Sequence, residues 1–417
     1  MKSAARGDRR EQRRPHHRSR PHAARAAAAL SAPPRRARTD PPLQRPHARP
    51  EPGPAAGRAG SLRRHRRRLA GPLLPAPGRH GPERLECVGA LARRAESRQA
   101  LAEEFGVATT DSLDDLRARS PELVVPSVGW AAMPDLVREL VDRGIPVLSE
   151  TPPAPDPDSL RALWRDVGAS GLVQVAEQYP RMPGHAARLA AIRAGTIGTP
   201  TWAQVSSTHG YHAVSLLRHF LADDDAPLGG PVTVTARSFP APLFQPLGRD
   251  GWNVVPAVEP GETVLATLAF DGGRTGVYEF TSNQWHNPLL SRRVLVRGTL
   301  GEIVDDAVTR WVPDAGAVTS RIEYRRTGRD LNLEGNDLVH ASLDGRVVYR
   351  NRWVGTRMSE DDLAVATILQ DTGRWARGEG PAPYPLAQAC QDHLLSCAID
   401  EAAASGRDVT TDIEDWA

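Results

Sequence analysis

The chain has 417 residues, 40% of them apolar, which is room and material for two domains with their own cores. Its net charge of +3 joins two opposite regions: residues 1–80 hold 21 of the 53 Lys and Arg but 4 of the 50 acids, so the remainder is acidic by 14 charges. The basic balance that would suggest nucleic acid thus describes the leader alone and excludes that reading for the rest.

The leader, residues 1–82, is Arg, Pro, Ala, Gly and His without periodicity. It has too few large apolar residues to offset its ordering entropy. Two readings stay open for it, a disordered tail or a stretch translated in a shifted frame. From Arg84 the pattern becomes regular. RLECVGALARR (84–94) reads as a strand, SRQALAEEFG (97–106) as a helix closed by Gly106, and Ser112 with Asp115 as the capping box of another. PELVVPSV (121–128) reads as a buried strand, and residues 133–144 as a helix with Leu136, Val137, Leu140 and Val141 on one face. IPVLSE (145–150) is the next strand. Asp156 and Pro157 open a helix striped by Leu160, Leu163, Trp164 and Val167, and LVQVAEQY (172–179) is another strand. Alternating strands and helices predict a parallel, doubly wound sheet.

After residue 180 the order changes. A helix (185–195), a strand (199–207) and a helix (210–221) lead into a hairpin over 262–282 with an Asp-Gly-Gly turn, then strands over 292–306 and 324–354. Two helices close the chain, over 359–378 with a Ser359–Asp362 capping box and over 386–406. This predicts an α+β domain with an open, mostly antiparallel sheet. Cys87, Cys390 and Cys397 form no disulfide framework, which favours a reducing cytoplasm, and no run of 18 apolar residues predicts a membrane span.

Five stretches in this order carry a resemblance: GIPVLSETPPA (144–154), RAGTIGTP (193–200), HGYHAVSLLRHFL (209–221), RVLVRGTLGEI (293–303) and the C-terminal helix pair. From about residue 83 onward the chain resembles the glucose–fructose oxidoreductase, inositol dehydrogenase and MocA family of nicotinamide-dependent oxidoreductases. The resemblance implies a Rossmann domain over 83–179 and a substrate and oligomerisation domain over 180–417. It also implies NADP or NAD as cofactor, a sugar-like substrate, and a homo-oligomer formed through the C-terminal sheet.

Three departures accompany it. The family's first strand and Gly-x-Gly-x-x-Gly loop, which cradles the cofactor pyrophosphate, has no counterpart in residues 50–83, where Pro72, Pro75 and Pro77 oppose both strand and helix. The acid expected at the end of the next strand is Ala92, followed by Arg93 and Arg94. An Arg pair there suits the 2′-phosphate of NADP, and two solvated arginines are the plainer alternative. Where the family has Glu-Lys-Pro, this chain has Glu150, Thr151 and Pro152, and Lys2 is its sole lysine. The family's Asp-x-Gly-x-His-x-x-Asp pattern keeps Gly210 and His212 but has Thr208 and Ser215 at the acids.

Oxidising a secondary alcohol needs a group to take the hydroxyl proton, and His212, in register with the family histidine, is the first candidate; at a helix start it could equally be structural. Tyr211 or Thr151 would orient the hydroxyl. Pro126, Ser127, Glu150 and Pro152, with Arg93 and Arg94, would face the cofactor. Tyr179, His209, Trp285 and His286 would contact substrate, although Tyr179 and Trp285 also suit a domain interface or core. His209 and His212 lack a third ligand for a metal, so none is assigned. Two functions follow: an oxidoreductase acting on a CH–OH group of a sugar, inositol or related polyol, or a catalytically degenerate member that binds a ligand or partner. Nucleic-acid binding by the Arg-rich leader is a third, separable reading.

Overall fold

The computed structural model describes residues 86–224, 226–248, 251–328 and 335–417; the leader expected over 1–82 lies outside them. Strand β1 (Ala90–Leu91) pairs in parallel with β2 (Thr109–Thr110), with α1 (Ala95–Phe105) between them. Gly106 closes α1 at φ +66°, a left-handed cap that only glycine adopts without strain. Helix α2 (Leu113–Ala118) starts at Ser112, whose side chain accepts from the Asp115 N–H. A second parallel ladder joins Val124, β3 (Val147–Ser149) and β4 (Val173–Val175), covered by α3 (Met133–Asp142) and α4 (Pro157–Val167). Asp156 caps α4 by accepting from Ser159, as its position predicts.

Two strands are shorter than expected. PELVVPSV contributes a single bridge at Val124, because Pro126 offers no N–H to a ladder. The strand over 172–179 stops at Val175, and the chain turns through a 3₁₀ segment at Tyr179–Arg181. Among the described residues no strand joins the two ladders, and their apolar clusters are separate: Ala90, Ala92 and Leu101 in one, Met133, Val137, Leu140, Val147, Leu160 and Leu163 in the other.

The second region is built on one nine-stranded sheet. Its strands are β5 (Pro200–Ser206), β6 (Val232–Pro240), β7 (Glu262–Phe270), β8 (Thr275–Thr281), β9 (Arg293–Gly298), β10 (Gly301–Val304), β11 (Ala307–Val312), β12 (Gly316–Arg321) and β16 (Val409–Thr410). They lie in the order β12-β11-β10-β9-β5-β8-β7-β6-β16, antiparallel except for β5 beside β8. The β7–β8 turn is the expected Asp271–Gly272–Gly273. Strands β13 (Glu323–Thr327), β14 (Asp337–Leu343) and β15 (Arg346–Arg350) form a separate three-stranded sheet.

One face of the large sheet is covered by α6 (Gly210–Phe220) and α8 (Leu386–Ser405), and α5 (Pro183–Arg193) packs beside α6 and against the three-stranded sheet. Val205, Leu217, Phe220, Val234, Leu268 and Val296 are fully buried there, each side chain contributing about 1.5–3 kcal/mol of transfer free energy. Helix α7 (Glu360–Ala376) opens with the predicted reciprocal Ser359–Asp362 capping box. The C-terminal segment returns to the first region: Val175 N–H donates to Tyr384 O, and Trp416 packs edge-on to Trp164 in the same core as Leu386 and Leu394.

Candidate active site

The carboxyl ends of β1, Val124, β3 and β4 carry the loops where a doubly wound sheet binds its ligand. Arg93 and Arg94 follow β1 and are exposed; Arg94 is the N-cap residue of α1, and Arg98 donates to the Ala92 and Arg93 carbonyls. Pro126 is buried and Ser127 half-buried after Val124. Glu150 is exposed, Thr151 half-buried and Pro152 buried after β3, with a cis Thr151–Pro152 peptide.

The loop after β4 supplies the centre of the site. Glu177 is fully buried, and its Oε2 lies 2.6 Å from His212 Nδ1. Its Oε1 has no hydrogen-bond partner among the described residues. Two residues on, the Tyr179 ring stacks on the His212 imidazole with centroids 4.2 Å apart. With Nδ1–H donated to a carboxylate, the imidazole is held in the tautomer whose Nε2 carries the lone pair, the arrangement of a proton acceptor. His212 keeps 14% side-chain exposure, enough to be reached.

His212 sits in the first turn of α6 because Gly210 lets the chain turn there. The Gly210 N–H donates to Tyr278 Oη at 3.0 Å, φ is +33°, and an added Cβ would come within 2.8 Å of Ser396 Oγ. A side chain at 210 would therefore push α6 away from α8. His209, exposed just before the helix, lies edge-on to His212 at 5.3 Å; partial burial of its ring and the adjacent His212 lower its pKa below the ordinary value.

Tyr211 points into the core beside His393, with its hydroxyl buried and unpartnered. Burial keeps that phenol protonated far above its ordinary range. Trp285 is half-buried, 5.5 Å from Tyr179, with the Arg292 guanidinium over its ring at 4.8 Å. His286 follows in the same turn and is not one of the rings packed around His212. The structure therefore gathers His212, Tyr179, His209 and Trp285, holds Tyr211 behind them, and leaves Arg93 and Arg94 at the far loop.

The acid positions of the family pattern are occupied differently. Thr208 is fully buried, and Ser215 Oγ lies 3.0 Å from Tyr384 Oη in a dry network with Asp392, Arg218 and Gln388. Burial raises Asp392 to about 6 against the pull of Arg218. The residue that sequence reasoning missed is Glu177. Its signal was a single acid at the end of the apolar run LVQVAEQY, where charge is costly unless it is paired. No group of three or more His, Cys, Asp or Glu among the described residues could hold a metal, and no helix among them is long and apolar enough to cross a membrane.

Residues 69–179 match the profile of the oxidoreductase family with an NAD-binding Rossmann fold, the glucose–fructose oxidoreductase, inositol dehydrogenase and MocA family. The match covers about a quarter of the chain, and the family's description, an NAD-binding Rossmann fold, agrees with the nicotinamide cofactor expected from the sequence. A 120-residue stretch is 37% identical to the myo-inositol dehydrogenase Hyg17 of Streptomyces leeuwenhoekii, covering 28% of this chain and 36% of that protein. The chain thus matches about a third of the length of that relative.

Among solved structures, an oxidoreductase from Agrobacterium radiobacter in complex with NAD+, L-tartaric acid and magnesium superposes with a TM-score of 0.56 at 18% identity, over 78% of this chain and 90% of that one. A myo-inositol dehydrogenase from Corynebacterium glutamicum gives 0.52 at 19% identity, over 79% and 92%. These likenesses establish the fold, a Rossmann region followed by the sheet domain. Arg93 and Arg94 after β1, Ser127 after Val124 and Thr151 after β3 sit at the carboxyl ends of the parallel ladders, and Glu177 after β4 keeps an Oε1 without a partner among the described residues, donors and acceptors of the kind a dinucleotide meets. The pyrophosphate turn of the family would precede Glu86, outside the described residues.

Proposed function

We propose that the chain is an NAD(P)-dependent oxidoreductase acting on a CH–OH group of a sugar, inositol or related polyol, with His212 as proton acceptor and donor. The observation that carries this reading is the buried Glu177 carboxylate 2.6 Å from His212 Nδ1. A carboxylate is kept this dry when it has a charge or a proton to manage.

When bound, the dinucleotide accepts or gives the hydride. Arg93 and Arg94 would hold its adenosine end and, as a pair, favour a 2′-phosphate. Pro126, Ser127, Glu150 and Pro152 would form the wall on the side of the reaction. His212 Nε2 takes the hydroxyl proton as the carbinol becomes a carbonyl, and Glu177 stabilises the imidazolium that results. Thr151 stands where a lysine would, so it donates a hydrogen bond and supplies no charge. Trp285 offers an aromatic face to a sugar ring, Tyr179, buried and stacked on His212, backs the imidazole rather than the sugar, and His209 gives a polar edge at the rim. Tyr211, facing the core, supports α6 from behind. The matched myo-inositol dehydrogenase favours a polyol substrate.

The open face of the nine-stranded sheet carries Phe239, Leu265 and Trp311, all strongly exposed, and suits a second copy of the chain. A cytoplasmic enzyme agrees with its free cysteines. Titrating the full chain with NADPH and NADH while following nucleotide fluorescence tests the proposal. Saturable binding, tighter for NADPH, is expected; absence of binding by either nucleotide would refute it. The replacement of the family's lysine and acids by Thr151, Thr208 and Ser215 favours the second reading, a ligand-binding protein without turnover. Polyol binding with no nucleotide reduction over hours would establish that reading.

A further inference from the structure

A cleft of about 380 Å³ opens beside Trp285 and is lined by the first turn of α5, Ser207 and Arg292. Its charges are mostly spent. Asp306 accepts from Arg188 at 3.1 Å and from the Tyr324 hydroxyl at 2.8 Å. Glu360 pairs with Arg326 at 3.0 Å, and Asp305 Oδ1 accepts the Val294 N–H at 2.9 Å.

Three donors remain. Arg292 has no acidic partner among the described residues and lies over the Trp285 ring. Ser207 lines the cleft and is 5% exposed, and its buried Oγ has no hydrogen-bond partner among the described residues. Helix α5 begins with Pro183, carries no acid in its first turn and has no side-chain cap, so the N–H groups of Gly184 and His185 are left to the cleft. A Cβ at Gly184 would come within 3.2 Å of Arg188 and 3.3 Å of the Tyr324 hydroxyl, so glycine keeps this end open. His185, neutral because burial and then Arg188 and Arg292 lower its pKa, brings no charge of its own to the cleft.

We infer that this cleft seats an oxyanion, a carboxylate or a phosphate, carried by a sugar-derived substrate whose carbinol faces His212. The unspent guanidinium, the buried hydroxyl and the uncapped helix start are donors around one cleft, and Trp285, which lines it, lies 5.5 Å from the Tyr179 ring that stacks on His212. The inference deepens the oxidoreductase reading and rests on it for the position of the carbinol; the anion subsite itself can be measured without nucleotide.

Calorimetric titration of the full chain with D-glucose, D-glucuronate and D-glucose 6-phosphate keeps the ring constant and changes the charge. At least one anionic sugar is expected to bind about tenfold or more tighter than glucose, the worth of one charge-assisted hydrogen bond. The tighter of the two names the group. Arg292→Gln, at an exposed position, should bring the ratio close to one, and Ser207→Ala should reduce it less. Equal affinity for all three sugars, no binding by any, or a preference that survives both substitutions would overturn the subsite. Binding of the anionic sugar by a chain that takes up neither NADH nor NADPH would leave the subsite standing and remove the oxidoreductase.

Discussion

The two halves of the molecule reach order by different means. The second region closes on itself, with nine strands in one sheet and a single large apolar cluster against three helices. The nucleotide-binding region has two- and three-residue strands in two ladders, with separate apolar clusters, and part of its cover comes from the other end of the chain. Tyr384, Leu386, Leu394 and Trp416 pack with Leu160, Leu163 and Val175. The C-terminal helix is thus core for both regions, and the division at residue 180 describes the sheets better than it describes the packing. The candidate site lies on this seam: Glu177 comes from the loop after β4 and His212 from α6 of the second region.

The sharpest way to break the comparison is at the seam's chemistry. His212→Gln should lower kcat with a polyol by on the order of 10²–10⁴, the usual worth of a positioned acid–base group, while nucleotide binding by fluorescence stays intact. Glu177→Gln should lower kcat toward the lower end of that range and move the pH dependence of kcat/KM, because the amide no longer stabilises the imidazolium. Glu177→Asp should recover part of the loss. An unchanged pH profile in Glu177→Gln would reduce this pair to packing.

Stability changes come next. Arg218 and Asp392 are both buried in the second region, so Arg218→Met would strand the Asp392 carboxylate and its Tyr384 partner. A loss of about 3–5 kcal/mol is expected, read from urea unfolding, with both regions affected because α8 belongs to each. Trp416→Ala removes an anchor that reaches the nucleotide-binding core from the C-terminus. It should cost about 3 kcal/mol and shift hydrogen exchange of β3 and β4 before that of β6–β8. Equal loss of protection in both regions would show that the two cores unfold as one.

The order of elements was legible because periodicity and caps act locally. Gly106, Ser112, Asp156 and the Ser359–Asp362 box each end or start a helix as their chemistry requires. Strand β6 has no counterpart among the expected elements, although Val232, Val234 and Ala236 alternate inward. The strand over 121–128 was over-read from its apolar run; a strand needs partners on both sides, and these are set by the rest of the fold. His212 was found by register with a family pattern. Glu177 was not, because its role depends on a contact 35 residues away that no local pattern encodes. The exposure of Arg93 and the inward turn of Tyr211 likewise follow from packing.

The smallest expected effect concerns acid. His219, on α6, is buried and donates Nδ1–H to the Ser215 carbonyl at 2.7 Å; burial lowers its pKa to about 3. His185 and His393 are shifted in the same direction by the same cause. A histidine kept neutral in the folded chain and free to protonate near 6.5 when unfolded gives stability that is present above 6.5. That stability is lost as pH falls toward the folded value. Each such group should cost up to about 1.4 kcal/mol per pH unit in that window. Asp392 opposes them: its folded value near 6 lies above the ordinary 3.8, so its contribution is lost as pH rises through 6 and regained as pH falls. The histidines outnumber it, so melting temperature should fall from pH 6.5 to 5. His219→Gln, whose amide can still donate to Ser215, should flatten that slope by about one group's worth. All three histidines lie in the second region or on α8, so the acid-sensitive half should be the one with the larger core. A pH dependence that persisted unchanged in His219→Gln would move the sensitivity to the nucleotide-binding half.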